Sequence, residues 1–253
     1  MMEAMTTKRP RQPAAGRLLV ATPRLLDPNF SRTVVYLIAH GDEGSAGLVL
    51  NRRSETAVHN VLPAWTACAA KPQAIYAGGP VQPGGAMCLG VSRRGVSPAD
   101  VEGVVGVHGS VVLVDLDADP DLLTGSLLGV RIFAGHAGWA GGQLAEEIDE
   151  GAWHVVDSLA DDVLAGARTD LWFTVLRRQG SPGLAGLPPG HPRSELGRVS
   201  QSMVCCAAPW HVVRYGRFVA KATSLSFLSR LAANAPGHRS RRPAIGRHAL
   251  GDC

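Results

Sequence analysis

The chain has 253 residues, 45% of them hydrophobic and 18% charged, with a formal net charge of +4, enough for one sizeable core plus an appendage. Residues 1–180 carry 15 Lys and Arg against 19 Asp and Glu, whereas residues 181–253 carry 10 against 2. The basic balance therefore belongs to the C-terminal part and says nothing about the domain, and the lack of any run of about 18 apolar residues excludes a membrane-spanning helix.

Residues 1–15 contain basic residues without a following apolar stretch and read as a disordered lead-in, not a signal peptide. Leu18–Ala21 and Thr33–Ala39 are short runs rich in Val, Ile and Leu, the pattern of strands buried on both faces. Between them, Asp27-Pro28-Asn29-Phe30 places a capping carboxylate before a proline, as at the start of a short helix or turn. Ala46–Leu50 repeats the strand character after Gly41-Asp42-Glu43-Gly44, which makes Thr33–Leu50 a hairpin. Over Glu55–Ala70, Val58, Val61, Leu62 and Trp65 recur at helical spacing, and Pro63 should kink or split that helix. Further strands are predicted at Met87–Val91, Ser110–Leu116 and Val130–Ala134. A helix capped by Asp119, with Pro120 in its first turn, should run toward Leu128. Gln143–Asp149 reads as a short helix, Trp153–Val156 as a strand, and Asp170–Arg178 as a helix ending in basic residues that complement its dipole. Strands outnumber helices and do not alternate with them. The expected fold class is α/β in an α+β-like form, a mixed, bifurcated sheet surrounded by helices in one domain over residues 16–180. Residues 181–253 are rich in Pro, Gly and Arg and are expected to be mostly disordered, as a lineage-specific extension or a frameshifted reading.

The chemistry-bearing residues do not form a recognisable constellation. There is no G-x-S-x-G elbow, H-E-x-x-H pair, Walker A loop or G-x-G-x-x-G, so no catalytic residues, metal ligands or cofactor are assigned. Five cysteines at irregular spacing, without C-x-x-C, suit reduced thiols in a cytoplasmic protein, with Cys68 and Cys88 as small core residues. Glu146, Glu147, Asp149 and Glu150 are spread around a helix and read as a solvated face. Asp115, Asp117, Asp119 and Asp121 alternate like calcium ligands, but strand exit plus N-cap is the better account. His136 stands between Gly135 and Gly138 with Trp139 nearby. That arrangement is either a ligand pocket closed by a tryptophan or a tight strand-to-helix turn, and the turn explains the glycines without a ligand. Arg52 could hold an anion or pair with a neighbouring acid. Asn51, Arg52, Gly79, His136 and Trp139 together form the candidate ligand cleft.

Five blocks in order, DPNF-S-R-T-VVYL, GLVLNR, GGPV, G-x-AGW-x-x-GQL-x-x-EI and DLW-x-x-VLRRQ, resemble the AlgH/YqgE family of bacterial proteins across residues 16–179. The chain departs from that pattern at Gly41, Arg53, His136 and Ala145, where the family carries Asn, Pro, Tyr and Glu. The resemblance implies a cytoplasmic single-domain α/β protein without established enzymatic activity, whose family name carries a transcriptional-regulator role. The expectation is a noncatalytic regulatory or interaction protein with a protein partner. The alternatives are a small-ligand-binding protein or unrecognised enzyme with a cleft near His136 and Trp139, and nonspecific nucleic-acid binding through the basic tail.

Overall fold

A computed structural model describes residues 11–178. Most of the lead-in and the whole segment from residue 181 lie outside the described residues, as does the reading of that segment as an extension.

Ten strands form the sheet: β1 Arg17–Ala21, β2 Val34–Gly41, β3 Gly44–Val49, β4 Arg53–Ala57, β5 Ala74–Ala77, β6 Val81–Ser92, β7 Val104–His108, β8 Val111–Val114, β9 Leu127–Ala140 and β10 Trp153–Asp157. Five short helices accompany them: α1 Val58–Val61, α2 Pro120–Leu123, α3 Gln143–Asp149, α4 Ala160–Val163 and α5 Leu171–Arg177. The spatial order is β10-β1-β2-β3-β9-β6-β8-β7, with β4 and β5 leaving that path as a branch. The junction is β9. One edge runs antiparallel to β6, while the other pairs with β5 in parallel through Phe133 and Ala134, then with β3 from Ala137 to Ala140.

The strands form where β-branched and aromatic residues can pack on both sides of the sheet. In β1 and β2, Leu18, Val20, Val34 and Tyr36 face one core cluster, while Leu19, Ala21, Val35 and Leu37 face another. Each fully buried side chain of this size contributes roughly 1.5–3 kcal/mol of transfer free energy, so the hydrophobic alternatives for these strands are few. The predicted hairpin is present, with β2 and β3 antiparallel through the Gly41–Gly44 turn. A third cluster lies under the far half of the sheet, where Trp65, Ile75, Cys88, Val112, Val130 and Ile132 meet.

Three expectations need correction. The longest helices have seven residues, among the described residues, so helices do not surround the sheet as expected. The Glu55–Ala70 helix is reduced to α1 followed by a 3-10 turn at Pro63–Trp65. Its first residues instead join β4, where Arg53 opposes Tyr76 and the Ser54 hydroxyl donates to the Ile75 carbonyl at 2.7 Å. Helical spacing did place Val58 and Trp65 in a core, but three apolar positions before Pro63 cannot sustain a longer helix. Finally, the strand expected at Val130–Ala134 runs on through His136 and Trp139 to Ala140. Glycines read as its end are instead sites of close backbone approach inside it. At Gly135, with φ +70°, a Cβ would lie 2.6 Å from the Gly79 carbonyl oxygen.

The helix after β8 is a single turn, capped as expected: the Asp119 carboxylate accepts the Asp121 N–H at 2.9 Å. Asp115 does the same for Asp117 at 3.0 Å, so alternate aspartates serve turn geometry.

Candidate functional site

Residues of four of the five sequence blocks meet around one irregular segment, residues 27–33, between β1 and β2. Asp27 opens it by accepting the Asn29 N–H at 2.8 Å. The segment must then turn back into the sheet, and Arg32 does so at φ +57°, a left-handed conformation unusual for arginine. Neighbouring blocks hold it there. The Asn51 side chain accepts the Val34 N–H at 3.0 Å and donates to the Arg32 carbonyl at 2.8 Å. Arg52 Nη2 donates to the carbonyls of Ser31 at 2.9 Å and Pro28 at 3.2 Å. Arg52 thus holds backbone carbonyls and makes no ion pair with an acid among the described residues. Arg32 itself lies 4.5 Å above the Trp172 ring and pairs with Asp170 at 3.2 Å. Asp170 also caps α5 by accepting the Phe173 N–H, and Trp172 Nε1 donates to the Ala21 carbonyl at 2.7 Å.

Phe30 points from the same segment into the core. It stacks on Trp139 at 6.1 Å and meets Trp153 edge-on at 5.6 Å. Between the two tryptophans lies Glu147, 8% exposed. Its Oε2 accepts Trp139 Nε1 at 3.0 Å and Trp153 Nε1 at 2.7 Å, and its Oε1 accepts Gln143 Nε2 at 3.0 Å. This corrects the solvated-face reading for Glu147 alone; Glu146, Asp149 and Glu150 are exposed. Glu147 is a buried acceptor placed where two indole N–H groups would otherwise lack a partner. Sequence reasoning missed it because four nearby acids look alike. The usable signal was Leu144 and Ile148 flanking Glu147 on the apolar side of a seven-residue helix, with two tryptophans just outside it.

The five cleft candidates are distributed over separate places. Asn51 and Arg52 bind the 27–33 segment. Gly79, with φ +154°, lies against the His136–Ala137 peptide, so close that a Cβ would sit 2.2 Å from the His136 carbonyl carbon. Trp139 belongs to the cluster with Ala137, Phe30 and Trp153. His136 is one residue out of phase with both, so strand alternation turns it to the opposite face of β9. It is half-buried, and desolvation lowers its pKa from the ordinary histidine value.

That shift gives a pH prediction. A histidine with a lowered folded pKa binds fewer protons in the native than in the unfolded state, so stability is present above the unfolded value and falls as pH drops below about 6.5. His40, also desolvated and with Asp42 opposing, acts in the same direction. Urea midpoints should fall between pH 7.5 and 5.5, and the fall should be shallower in His136→Gln. An unchanged slope in that variant would remove His136 from the account.

A different polar group on β9 stands out. Arg131 is 3% exposed, with its guanidinium 4.4 Å above the Tyr76 ring. Its Nε and Nη2 have no hydrogen-bond partner, and no carboxylate among the described residues lies within ion-pair distance. Burial lowers its pKa from the ordinary guanidinium value, with Tyr76 opposing. A cation–π contact supplies about 2 kcal/mol when desolvated, whereas an uncompensated buried charge costs about 3–5 kcal/mol.

A branched, mostly antiparallel sheet with few short helices, in which Asn51 and Arg52 clamp one turn, defines the class of protein. A family model described as AlgH-like matches residues 18–183, and the chain belongs to that family. UPF0301 proteins of Rhodococcus jostii and Mycobacterium tuberculosis are each 52% identical to it, over 66% of this chain and 83% of theirs. A crystal structure of a protein from Corynebacterium diphtheriae matches at 40% identity and TM-score 0.68, covering 72% of this chain and 97% of that one. The solution structure of the AlgH protein from Pseudomonas aeruginosa matches at 27% identity and TM-score 0.53, covering 73% and 100%. The family has no specific function established.

Among the described residues, no helix is long and apolar enough to cross a membrane.

Proposed function

We propose that this protein is a noncatalytic regulatory or interaction protein of the bacterial cytoplasm, with the domain serving as a rigid body that presents its surface to a protein partner. One observation carries the reading: four polar side chains of the family blocks are committed to the fold. Asn51 and Arg52 hold backbone groups, Glu147 holds two indoles, and Asp170 holds a helix end and Arg32. Groups fixed this way stiffen a framework and are not available to move protons or attack a substrate. The transcriptional role attached to the family name is one form of this reading.

β7 at the end of the sheet path supports a surface role. Among the described residues its outer edge carries no neighbouring strand, and Val105 on it is 42% exposed, so a partner strand could add there. Affinity purification with the full chain as bait, from nuclease-treated lysate, tests the proposal. Nuclease removes capture through nucleic acid on the basic tail. The same partner should be recovered across a range of salt, with recovery reduced by Val105→Lys. Failure to recover any reproducible partner would contradict the reading.

The alternative, a small-ligand cleft near His136 and Trp139, gains nothing from their placement on opposite faces of β9. The feature that favours a ligand is elsewhere on the same strand.

A further inference from the structure

We propose that the Arg131 guanidinium is the recognition group of an enclosed oxyanion site, taking a carboxylate or phosphate group of a small molecule against the Tyr76 ring. This goes beyond the partner-binding reading and stands without it.

The argument rests on which guanidinium atoms lack partners. Nε–H and one Nη2–H point the same way and form the side-on fork of arginine, the pair that grips both oxygens of one carboxylate or phosphate. Those are the two unpartnered atoms. One flat face of the guanidinium is already covered by Tyr76 at 4.4 Å, which fixes the plane of the fork. The cross-strand partner of Arg131 is Leu89, and Phe133 lies two residues along the same face of β9. Both belong to the core cluster that includes Tyr76. A fork held in plane among apolar side chains, with no hydrogen-bond partner at either of its two donors, is suited to the paired oxygens of a planar or tetrahedral anion. Leu164 and Ala165 pack on this cluster from the short connection between α4 and α5. Both fork atoms are closed off from solvent, so an anion must displace part of this packing to reach them.

The site differs from the surface arginines. Arg17 pairs with Asp157, and Arg178 with Asp162; both are satisfied within the fold.

Thermal unfolding of the full chain, titrated with sodium phosphate or sodium acetate against sodium chloride at matched ionic strength, tests the proposal. A saturable rise in Tm is expected with at least one of the two anions, and which one identifies the group: phosphate alone indicates a phosphorylated ligand, acetate a carboxylate. In parallel, one arginine Nε–Hε resonance should move downfield with the same midpoint concentration. Arg131→Met should abolish the response while melting at or above the wild-type temperature without anion, because it removes an unpaired buried charge. Arg131→Lys keeps the charge but loses the fork, and should raise the midpoint concentration at least tenfold. The proposal is overturned by no saturable response to either anion, by an equal response in either variant, or by a large loss of Tm in anion-free Arg131→Met, which would show a partner within the chain.

Discussion

Glu147→Ala should lower the stability of the domain by about 3–5 kcal/mol, the range for removing one partner from a buried charged cluster. The buried Trp139 Nε1 and Trp153 Nε1 lose their acceptor together, and a cavity opens where the carboxylate stood. Each orphaned buried donor alone costs about 1–3 kcal/mol. Glu147→Gln should cost less, about 1–2 kcal/mol on the same scale, because one amide oxygen can still take both indole protons. Denaturant midpoints measure both, and tryptophan emission should shift red in the alanine variant as the two indoles gain access to water. A loss below about 1 kcal/mol for Glu147→Ala would place the group at the surface, as a solvated helix face would have it.

Gly79→Ala should be comparably severe, at about 3–4 kcal/mol, since overpacking and a conformation unfavourable to L residues act together. The added carbon would fall 2.2 Å from the His136 carbonyl carbon and 2.3 Å from the Ala137 nitrogen, both backbone atoms that cannot rotate away. The point of contact lies where β9 changes neighbours, beside the Gly78 hydrogen bonds to Ala134 and Val49. Relief would therefore require the sheet branch to part. Gly84→Ala is the control. Nothing lies within 4 Å of a Cβ there, and its denaturant midpoint should be close to that of the wild type. Equal midpoints for the two variants would contradict the close packing of the branch.

The family, the strand-rich mixed sheet and most element positions were legible in the sequence because burial on both faces leaves an unmistakable run of β-branched and aliphatic residues. Thr33–Ala39 and Gln143–Asp149 show this: one is a near-continuous apolar run, and the other is a helix set off by Gly142. β4, β5 and β7 were missed. Ala74–Ala77 is four residues long, and Val104–His108 is exposed and interrupted by Gly106, so neither carries enough periodicity to stand out. The end of β9 was misplaced because glycine marks both turns and close approaches, and a single sequence does not distinguish them.

The site was legible in its members but not in its connections. Asn51, Arg52 and Trp139 stand out in the sequence, and all three touch the 27–33 segment or its Phe30. What they touch depends on the 27–33 segment arriving from the other side of the sheet, a tertiary fact with no local signature. Glu147 and Arg131 were hidden for a related reason. A charged residue in a short helix or between Val130 and Ile132 looks locally like solvent-facing punctuation, and only the complete sheet shows that both are enclosed.

Asn51 and Arg52 clamp the 27–33 segment and, on the proposed reading, act on function only through the fold. Arg52→Met separates that claim from a direct role. It removes the hydrogen bonds to Ser31 and Pro28, at a cost of about 1–2 kcal/mol, which should leave most molecules folded at low temperature. Partner capture per folded molecule, measured at 10 °C alongside the fraction folded by circular dichroism, should then equal that of the wild type. A fully folded Arg52→Met protein that fails to capture the partner would contradict the claim and place Arg52 in a binding site.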